Sequence, residues 1–588
     1  MVYYSKMCGK EVPAPVKKLW KYMKSYRKEA VIGPLFKLFE ALFDLMIPLV
    51  MAQIIDVGIG GKDTRAIAWY CAALVGLGIA GLAFALSAQY FAAKAAVGFC
   101  AQIKSAVFAK LNGLSFSEID TLGTSSMITR MTSDVNQLQS GVNLGLRLLS
   151  RSPLVVFGAL VMALTIDAKA AAVIGITIAI LLVVVFGIIM ITIPLYQKVQ
   201  GRLDRVVGTT RENLTGVRVI RAFCKEEEEM AAFEERHTAL TKLQIFVGRI
   251  SGLMNPLTYV IINLATVVLI YVGALQVDGG ILTQGAVVAL YNYMAQILVE
   301  LIKLANLIIT LTKSAACARR ISSVLDMQST LAFCESDEKA GDPFIAFDGV
   351  SLTYQNAGDE TLTDISFTLD RGKTLGIIGP TGSGKTSLVH LIPHFYDVTK
   401  GQVRVGGKDV RSYPLDELRE RIGIVMQKAV LFRGTIRDNM QWRKESATDE
   451  EIWQALELAQ AADVVRSKGG LDAPVEQEGR NFSGGQRQRL TIARALVGAP
   501  EILILDDSAS ALDYATDAAL RQAIRSLPHE PTVIIVSQRT ASIRFADRIV
   551  VLDDGEMVGI GTHDELLSTC SVYKEIYDSQ FAEGEGAK

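Results

Sequence analysis

Apolar residues in the first half of the chain gather in long runs instead of the three-and-four spacing of a soluble amphipathic helix. Six of them, Ala30–Ile55, Ala66–Ala93, Leu144–Ile166, Ala170–Ile193, Leu257–Leu275 and Leu282–Thr310, can each supply the roughly 20 residues that a helix needs to cross a hydrocarbon layer. Their connections alternate in length. Asp56–Arg65, Asp167-Ala168-Lys169 and Val277-Asp278-Gly279-Gly280 are short, whereas Lys- and Arg-rich helix-like stretches separate span two from three and span four from five. The positive-inside bias puts those long stretches, and with them both termini, in the cytoplasm. Ahead of the first span, Val16, Leu19, Trp20, Met23 and Tyr26 share one helical face and lysines fill the other, the pattern of an interfacial helix on the inner membrane surface. The N-terminal MVYYSKMCGKEVPAPVKK lacks the apolar core of a signal peptide.

Two stretches within the long connections mix small, polar and apolar residues as helix corners do. Leu114–Ser126 carries Ser117, Asp120 and Gly123, and Thr210–Phe223 carries Asn213 and Gly216. The pattern changes near Asp342-Pro343. Beyond it, β-rich runs (TLGIIG, RIGIVM, EILILDD, TVIIVS) alternate with helix-like segments, as in a mostly parallel sheet covered by helices. The reading is therefore an α-helical membrane domain of six transmembrane helices with long cytoplasmic extensions, followed by an α/β P-loop domain. Its boundaries are 1–29 for the N-terminal segment and elbow helix, 30–328 for the membrane domain, 329–342 for a linker and 343–588 for the nucleotide-binding domain.

Composition sharpens this division. A soluble chain of 588 residues would suggest roughly four domains of about 150 residues. Here 50% hydrophobic residues coexist with 21% charged ones, so greasy and polar parts are segregated into two regions. A net charge of -1 gives no basic excess for nucleic acid. Seven scattered cysteines without a CxxC pair read as reduced thiols, and the five histidines do not cluster with them as a metal site.

The chemistry lies in the second half. Gly379-Pro380-Thr381-Gly382-Ser383-Gly384-Lys385-Thr386 follows the strand TLGII and precedes SLVHLI, which starts at Ser387. This GxxxxGK[ST] loop wraps phosphates in backbone N–H groups, with Lys385 on the β- and γ-phosphates and Thr386 on Mg²⁺. The strand Ile502–Leu505 ends at Asp506, placed to hold Mg²⁺ through Thr386 and water. Between them, Asn481–Arg489 (NFSGGQRQR) opens a helix whose N-terminus favours anions.

Phe482-Ser483-Gly484-Gly485-Gln486 resembles the signature motif of ATP-binding cassette (ABC) proteins, and Gly379–Thr386 with Asp506 resembles their Walker motifs. Tyr354 matches the adenine-stacking aromatic, Gln427 the Q-loop, a further Mg²⁺ contact, and Ser510-Ala511-Leu512-Asp513 the D-loop. With six spans ahead of one cassette, nearly the whole chain resembles a half-size ABC exporter. The resemblance implies ATP and Mg²⁺ as cofactors, a multi-pass place in the cytoplasmic membrane, and coupling helices in Leu114–Ser126 and Thr210–Phe223.

Two positions depart from the family. Asp507 stands where the catalytic Glu follows the Walker B Asp, and Gln538 stands at the switch His. Asp is one methylene shorter, about 1 Å too far from the attacking water, and misplacement of that size costs on the order of 10²-fold in rate. Gln can donate to a γ-phosphate but has no titratable proton. Because cassettes of the family dimerise head to tail, this pattern implies a heterodimer. A second half-transporter would supply the missing Glu and His opposite this chain's intact signature. A slow homodimer and a regulatory ATP-binding subunit with negligible hydrolysis of its own are the alternatives.

The substrate reading rests on ionisable residues inside spans, which usually face the bundle interior or a watery cavity. Glu40 and Asp44 share a face of span one, and Asn292, Gln296 and Glu300 form a stripe on span six. They suggest a cavity for hydrophobic or amphipathic compounds, cationic drugs among them, with a lipid or peptide as the alternative cargo. Lys37 could pair with Glu40, and Arg147 and Arg151 could pair with the acids or snorkel.

Overall fold

A computed structural model describes residues 18–334, 343–355, 357–508 and 510–581. Residues 1–17, with Val16 of the expected elbow face, and residues 335–342 of the expected linker lie outside the described residues. The chain divides into two compact units, Met1–Asn112 with Ser125–Asp326, and Gly113–Thr124 with Met327–Lys588.

In the first unit six helices are long and apolar enough to cross a membrane: Trp20–Ile59, Thr64–Asn112, Thr124–Ile166, Ala168–Thr215, Glu226–Asp278 and Gln284–Asp326. They run 40 to 53 residues, or about 60–80 Å at 1.5 Å per residue, so each extends well beyond a hydrocarbon layer of about 30 Å. Large apolar side chains such as Val183 and Met190 stay exposed, which suits contact with lipid and not with water. The third span is not the uninterrupted helix its apolar run suggests. Val135–Leu148 and Arg151–Ile166 are separate helices, because Pro153 has no N–H to return to the Leu149 carbonyl. At the expected elbow, Leu19 and Met23 are buried with Phe99, Ile103, Leu138 and Ile321 of the same unit, while Trp20 remains exposed. Gly98 permits this packing, since a Cβ there would sit 2.1 Å from the Tyr26 ring.

The second unit holds the strands β1 (Ile345–Leu352), β2 (Leu362–Leu369), β3 (Thr374–Ile378), β4 (Lys400–Val405), β5 (Lys408–Asp409), β6 (Ile422–Val425), β7 (Gly434–Thr435), β8 (Pro474–Val475), β9 (Ile502–Asp506), β10 (Thr532–Val536), β11 (Arg548–Asp553) and β12 (Glu556–Gly561). A six-stranded sheet in the order β12-β11-β3-β10-β9-β6 is parallel except for its β12 edge. Strands β9 and β10 are buried along their whole length, which is why they read as continuous apolar runs. A second sheet, β2-β1-β4-β5, is antiparallel.

The corner Gly113–Thr124 belongs to this second unit. Its helix, Phe116–Leu122, starts at Ser115 in a reciprocal capping box with Glu118. Phe116 lies 4.5 Å from the Phe395 ring, and Tyr396 Oη donates to Asp120 over 2.7 Å. Buried Glu118 accepts from the Ser115 N–H (2.9 Å) and from the Thr330 N–H (3.1 Å), joining the corner to the segment that leads into the cassette. Burial pushes the Glu118 carboxyl up, but the hydrogen bonds from Ser115 and Thr330 outweigh it and hold the group below the usual carboxylate range. This depressed value makes Glu118 stabilising above the ordinary carboxylate range, a contribution lost as pH falls through the folded value. Glu118→Ala leaves two backbone donors and the Ser115 hydroxyl without this acceptor and lowers stability by about 2–4 kcal/mol, read as a fall in the cassette's melting temperature. Glu118→Gln keeps an acceptor and loses less.

Candidate functional site

Three adjacent parallel strands, β3, β10 and β9, end side by side, and the loops leaving their carboxyl ends form one crevice. The loop Gly379–Gly384 follows β3. Gly384 has φ 88°, and a Cβ there would meet Leu362 Cδ2 at 2.7 Å, so only glycine fits this turn. Lys385 Nζ donates to the carbonyls of Gly379 (2.8 Å) and Pro380 (2.5 Å), inside the loop that the sequence assigns to phosphate. Burial lowers the Lys385 pKa, with Asp507 and Asp506 opposing.

Asp506 closes β9 and is fully buried. Its Oδ1 accepts from Thr386 Oγ1 at 3.1 Å, while Oδ2 has no hydrogen-bond partner. Burial pushes its carboxyl up to about 6, and the Thr386 bond pulls the other way. An unpaired carboxylate oxygen beside a threonine hydroxyl fits Mg²⁺, which takes one or two protein ligands and completes its shell with phosphate and water. Among the described residues no group of three His, Cys, Asp or Glu is placed to hold a metal ion.

Asp507 has φ 46°, a left-handed conformation that Asp tolerates better than most residues. Burial raises its pKa, opposed by a hydrogen bond from Gln427. A cavity of about 220 Å³ gathers Thr381, Gly382, Gly384, Lys385, Thr386, Ser387, Gln427, Asp506, Asp507 and Gln538 in its lining. The sequence had placed all of these at the nucleotide, although they come from distant segments.

Other expected residues do not line this cavity. Gly379, Pro380 and Ser383 are outside the lining, the first two serving as acceptors for Lys385. Tyr354 is also outside it, its hydroxyl donating to Ser387 Oγ at 2.9 Å and its ring edge-on to Tyr396. Ser483, Gly484, Gly485 and Gln486 do not line the cavity. Ser483 and Gln486 form the capping box of the helix Gly484–Leu496, whose first turn is open to solvent. Asp513 caps Tyr514–Arg525 by accepting from the Thr516 N–H at 2.8 Å, a bond that holds its carboxyl low.

Sequence reasoning missed His390 and Gln580. His390 Nε2 lies 4.0 Å from Asp506 Oδ2, and both atoms are buried without hydrogen bonds. The helical spacing from Thr386 to His390 was the available signal. Gln580 touches the loop of Gln538, and nothing in the sequence links the two.

The expected substrate residues are engaged with one another in the first unit. Arg151 Nη2 lies 2.7 Å from Asp44 Oδ2, Nη1 2.5 Å from Glu300 Oε1, and Nε 3.7 Å from Glu40 Oε1. Lys37 pairs with Glu40, Lys303 with Glu300, and Ser152 Oγ donates to Glu300 Oε2 at 2.9 Å. Asn292 donates to Val288 of its own helix, and Gln296 donates to the Asp44 carbonyl. The carboxylates expected to face a cation therefore already have cationic partners, because span three approaches both acid-bearing helices.

Known proteins resemble this chain along nearly its whole length. Residues 30–301 match the ABC transporter transmembrane region, and residues 362–510 match the ABC transporter domain. An ABC transporter ATP-binding protein of Mycobacterium tuberculosis (strain CDC 1551 / Oshkosh) is 36% identical over 570 residues, covering 96% of this chain and 97% of that relative. A Bacillus subtilis (strain 168) protein named for multidrug export as an ATP-binding/permease protein is 30% identical, covering 96% and 99%. The fold is similar to that of a bacterial Atm1-family ABC exporter solved with ATP bound, with a TM-score of 0.80 at 23% identity, covering 96% of this chain and 99% of that one. With six helices long and apolar enough to cross a membrane, and matches to both the transmembrane region and the transporter domain, this protein is a multi-pass membrane member of the ABC transporter family.

Proposed function

We propose that the chain is one half of a heterodimeric exporter that uses ATP to move hydrophobic or amphipathic compounds out of the cytoplasm. ABC exporters work as dimers. In this reading each ATP, with Mg²⁺ on Thr386, Gln427 and Asp506, lies between the Walker residues of one chain and the signature of the other. The observation that carries it is the content of the 220 Å³ cavity: Asp507 and Gln538 line it, and Ser483–Gln486 do not. The chain thus holds ATP with an intact loop, turns it over slowly, and lends Ser483–Gln486 to a partner that has both Glu and His. Exposed Leu214, Val219 and Phe223 at the second corner suit coverage by another cassette.

The relative named for multidrug export supports drugs as cargo. The paired state of Glu40, Asp44 and Glu300 removes the reason to single out cationic ones. Phosphate release by the chain alone and with a co-purifying half-transporter tests the assembly. Turnover of the pair is expected to exceed that of the lone chain by at least about tenfold, the scale set by a misplaced carboxylate. Brisk turnover by the lone chain, abolished by Asp507→Ala, overturns the slow-site reading. Proteoliposomes containing the pair are expected to extrude neutral and cationic dyes alike.

A further inference from the structure

The C-terminal helix Ser571–Phe581 reaches the nucleotide cavity from behind. Tyr573 anchors it: the ring is fully buried, and its hydroxyl lies 2.7 Å from His563 Nδ1. Near the far end of the helix, Gln580 makes three hydrogen bonds to the loop that follows β10. Oε1 accepts from the Thr540 N–H and from Thr540 Oγ1, both at 2.9 Å, and Nε2 donates to the Gln538 carbonyl at 2.6 Å. The amide has only one productive orientation, because a backbone N–H must donate and a backbone C=O must accept.

Ser537 N donates to the Ile377 carbonyl at 3.1 Å, and Arg539 N donates to Ser537 Oγ at 3.0 Å. The carbonyls of Arg539 and Thr540 accept from Ser542 N (3.1 Å) and Arg544 N (2.9 Å) in the short helix that follows. The groups that Gln580 holds are the Gln538 carbonyl and the Thr540 N–H and hydroxyl, on either side of Arg539. The Gln538 side chain is exposed on the cavity wall while its own carbonyl is held from the opposite side. A residue that meets a phosphate from a short loop is only as well placed as the backbone carrying it, and a shift of about 1 Å is enough to lose its effect.

We propose that Gln580 is a positioning residue of the nucleotide site, fixing the Gln538–Thr540 backbone so that the Gln538 amide meets the γ-phosphate of bound ATP. The inference rests on the reading of Gln538 as the switch residue. Gln is suited to the task because one amide serves both a donor and an acceptor. Glu at this position keeps the bonds from Thr540 but cannot donate to the Gln538 carbonyl. Met keeps the length and loses all three bonds.

The test uses the full chain in lipid nanodiscs with Mg²⁺ and compares dissociation of two fluorescent nucleotides, mant-AMP-PNP, which has a γ-phosphate and resists hydrolysis, and mant-ADP, which does not. Gln580→Met is expected to speed release of the triphosphate by about three- to tenfold, the scale of one hydrogen bond's net contribution, and to leave mant-ADP release unchanged. Gln580→Glu is expected to do the same with an unaltered melting temperature, since the helix at Thr540 stays capped. In a Gln538→Ala background Gln580→Met should add nothing, because the contact it positions is already gone. Equal acceleration of both nucleotides would make Gln580 a packing residue and overturn the inference. So would unchanged triphosphate release in Gln580→Met when Gln538→Ala speeds it, with the switch reading left standing. No effect of Gln538→Ala itself would overturn the switch reading, and the positioning role would fall with it.

Discussion

Asp507→Glu raises ATP turnover by the purified chain by about 10- to 100-fold, the range that a correction of about 1 Å at a reacting group can restore. The geometry around Asp507 explains why one methylene has so large an effect. Lys385, Thr386 and Asp506 are already assembled in the same cavity, so in the proposed reading the reach of the carboxylate toward the attacking water is the part that falls short. Gln427 hydrogen-bonds the Asp507 carboxylate. Glu at φ 46° carries a backbone penalty on the order of 1 kcal/mol, which affects stability more than rate. Because Ser483–Gln486 are intact, a dimer of two such variants supplies its own signature. Gln538→His added to Asp507→Glu raises the rate further, and Asp507→Asn removes what activity the original chain has. Steady-state phosphate release at saturating MgATP measures all three. If Asp507→Glu leaves turnover unchanged, the short carboxylate is not what limits this site.

How far the site was legible depended on whether its parts were local. The phosphate loop could be read because strand, glycines and lysine sit in one short stretch, and the apolar runs could be read because a lipid-facing helix needs no partner to reveal it. Gln580 carries no such mark. Its role exists only because β10 and the C-terminal helix end near each other, and any surface helix contains glutamines. The same holds for Glu118, whose capping box was visible in SFSE but whose bond to Thr330 depends on the corner packing beside the segment entering the cassette. The break at Leu149-Ser150 was signalled by Pro153 yet hidden by the apolar run around it. Tyr354 was legible as an aromatic ahead of the phosphate loop, but its contacts with Ser387 and Tyr396 were not, because they depend on how the chain returns beyond the phosphate helix.

Arg151→Met is expected to be the most destabilising single substitution in the membrane unit, by about 3–5 kcal/mol, because it removes one partner of a buried charge cluster and leaves the others. The Glu300 side chain is 4% exposed and cannot turn to water, whereas Asp44 at 35% can. Lys303 keeps one bond to Glu300 but sits at the edge of the cluster, 41% exposed. The burden of the missing guanidinium therefore falls on Glu300. Glu300→Gln in the Arg151→Met background should restore most of the loss, since the neutral amide still accepts from Ser152 and Lys303 can be hydrated. Thermal unfolding of the detergent-solubilised chain, followed by size-exclusion chromatography, reads both steps. The single variant also changes the charge that the bundle presents. With Arg151 gone, Asp44 loses its cationic partner and becomes a free carboxylate, while Glu40 keeps Lys37. Binding of a cationic dye should then strengthen relative to a neutral one of similar size, where the original chain treats them alike. A variant as stable as the original, with no change in dye preference, would show that Arg151 neither neutralises these carboxylates nor keeps them from a cargo.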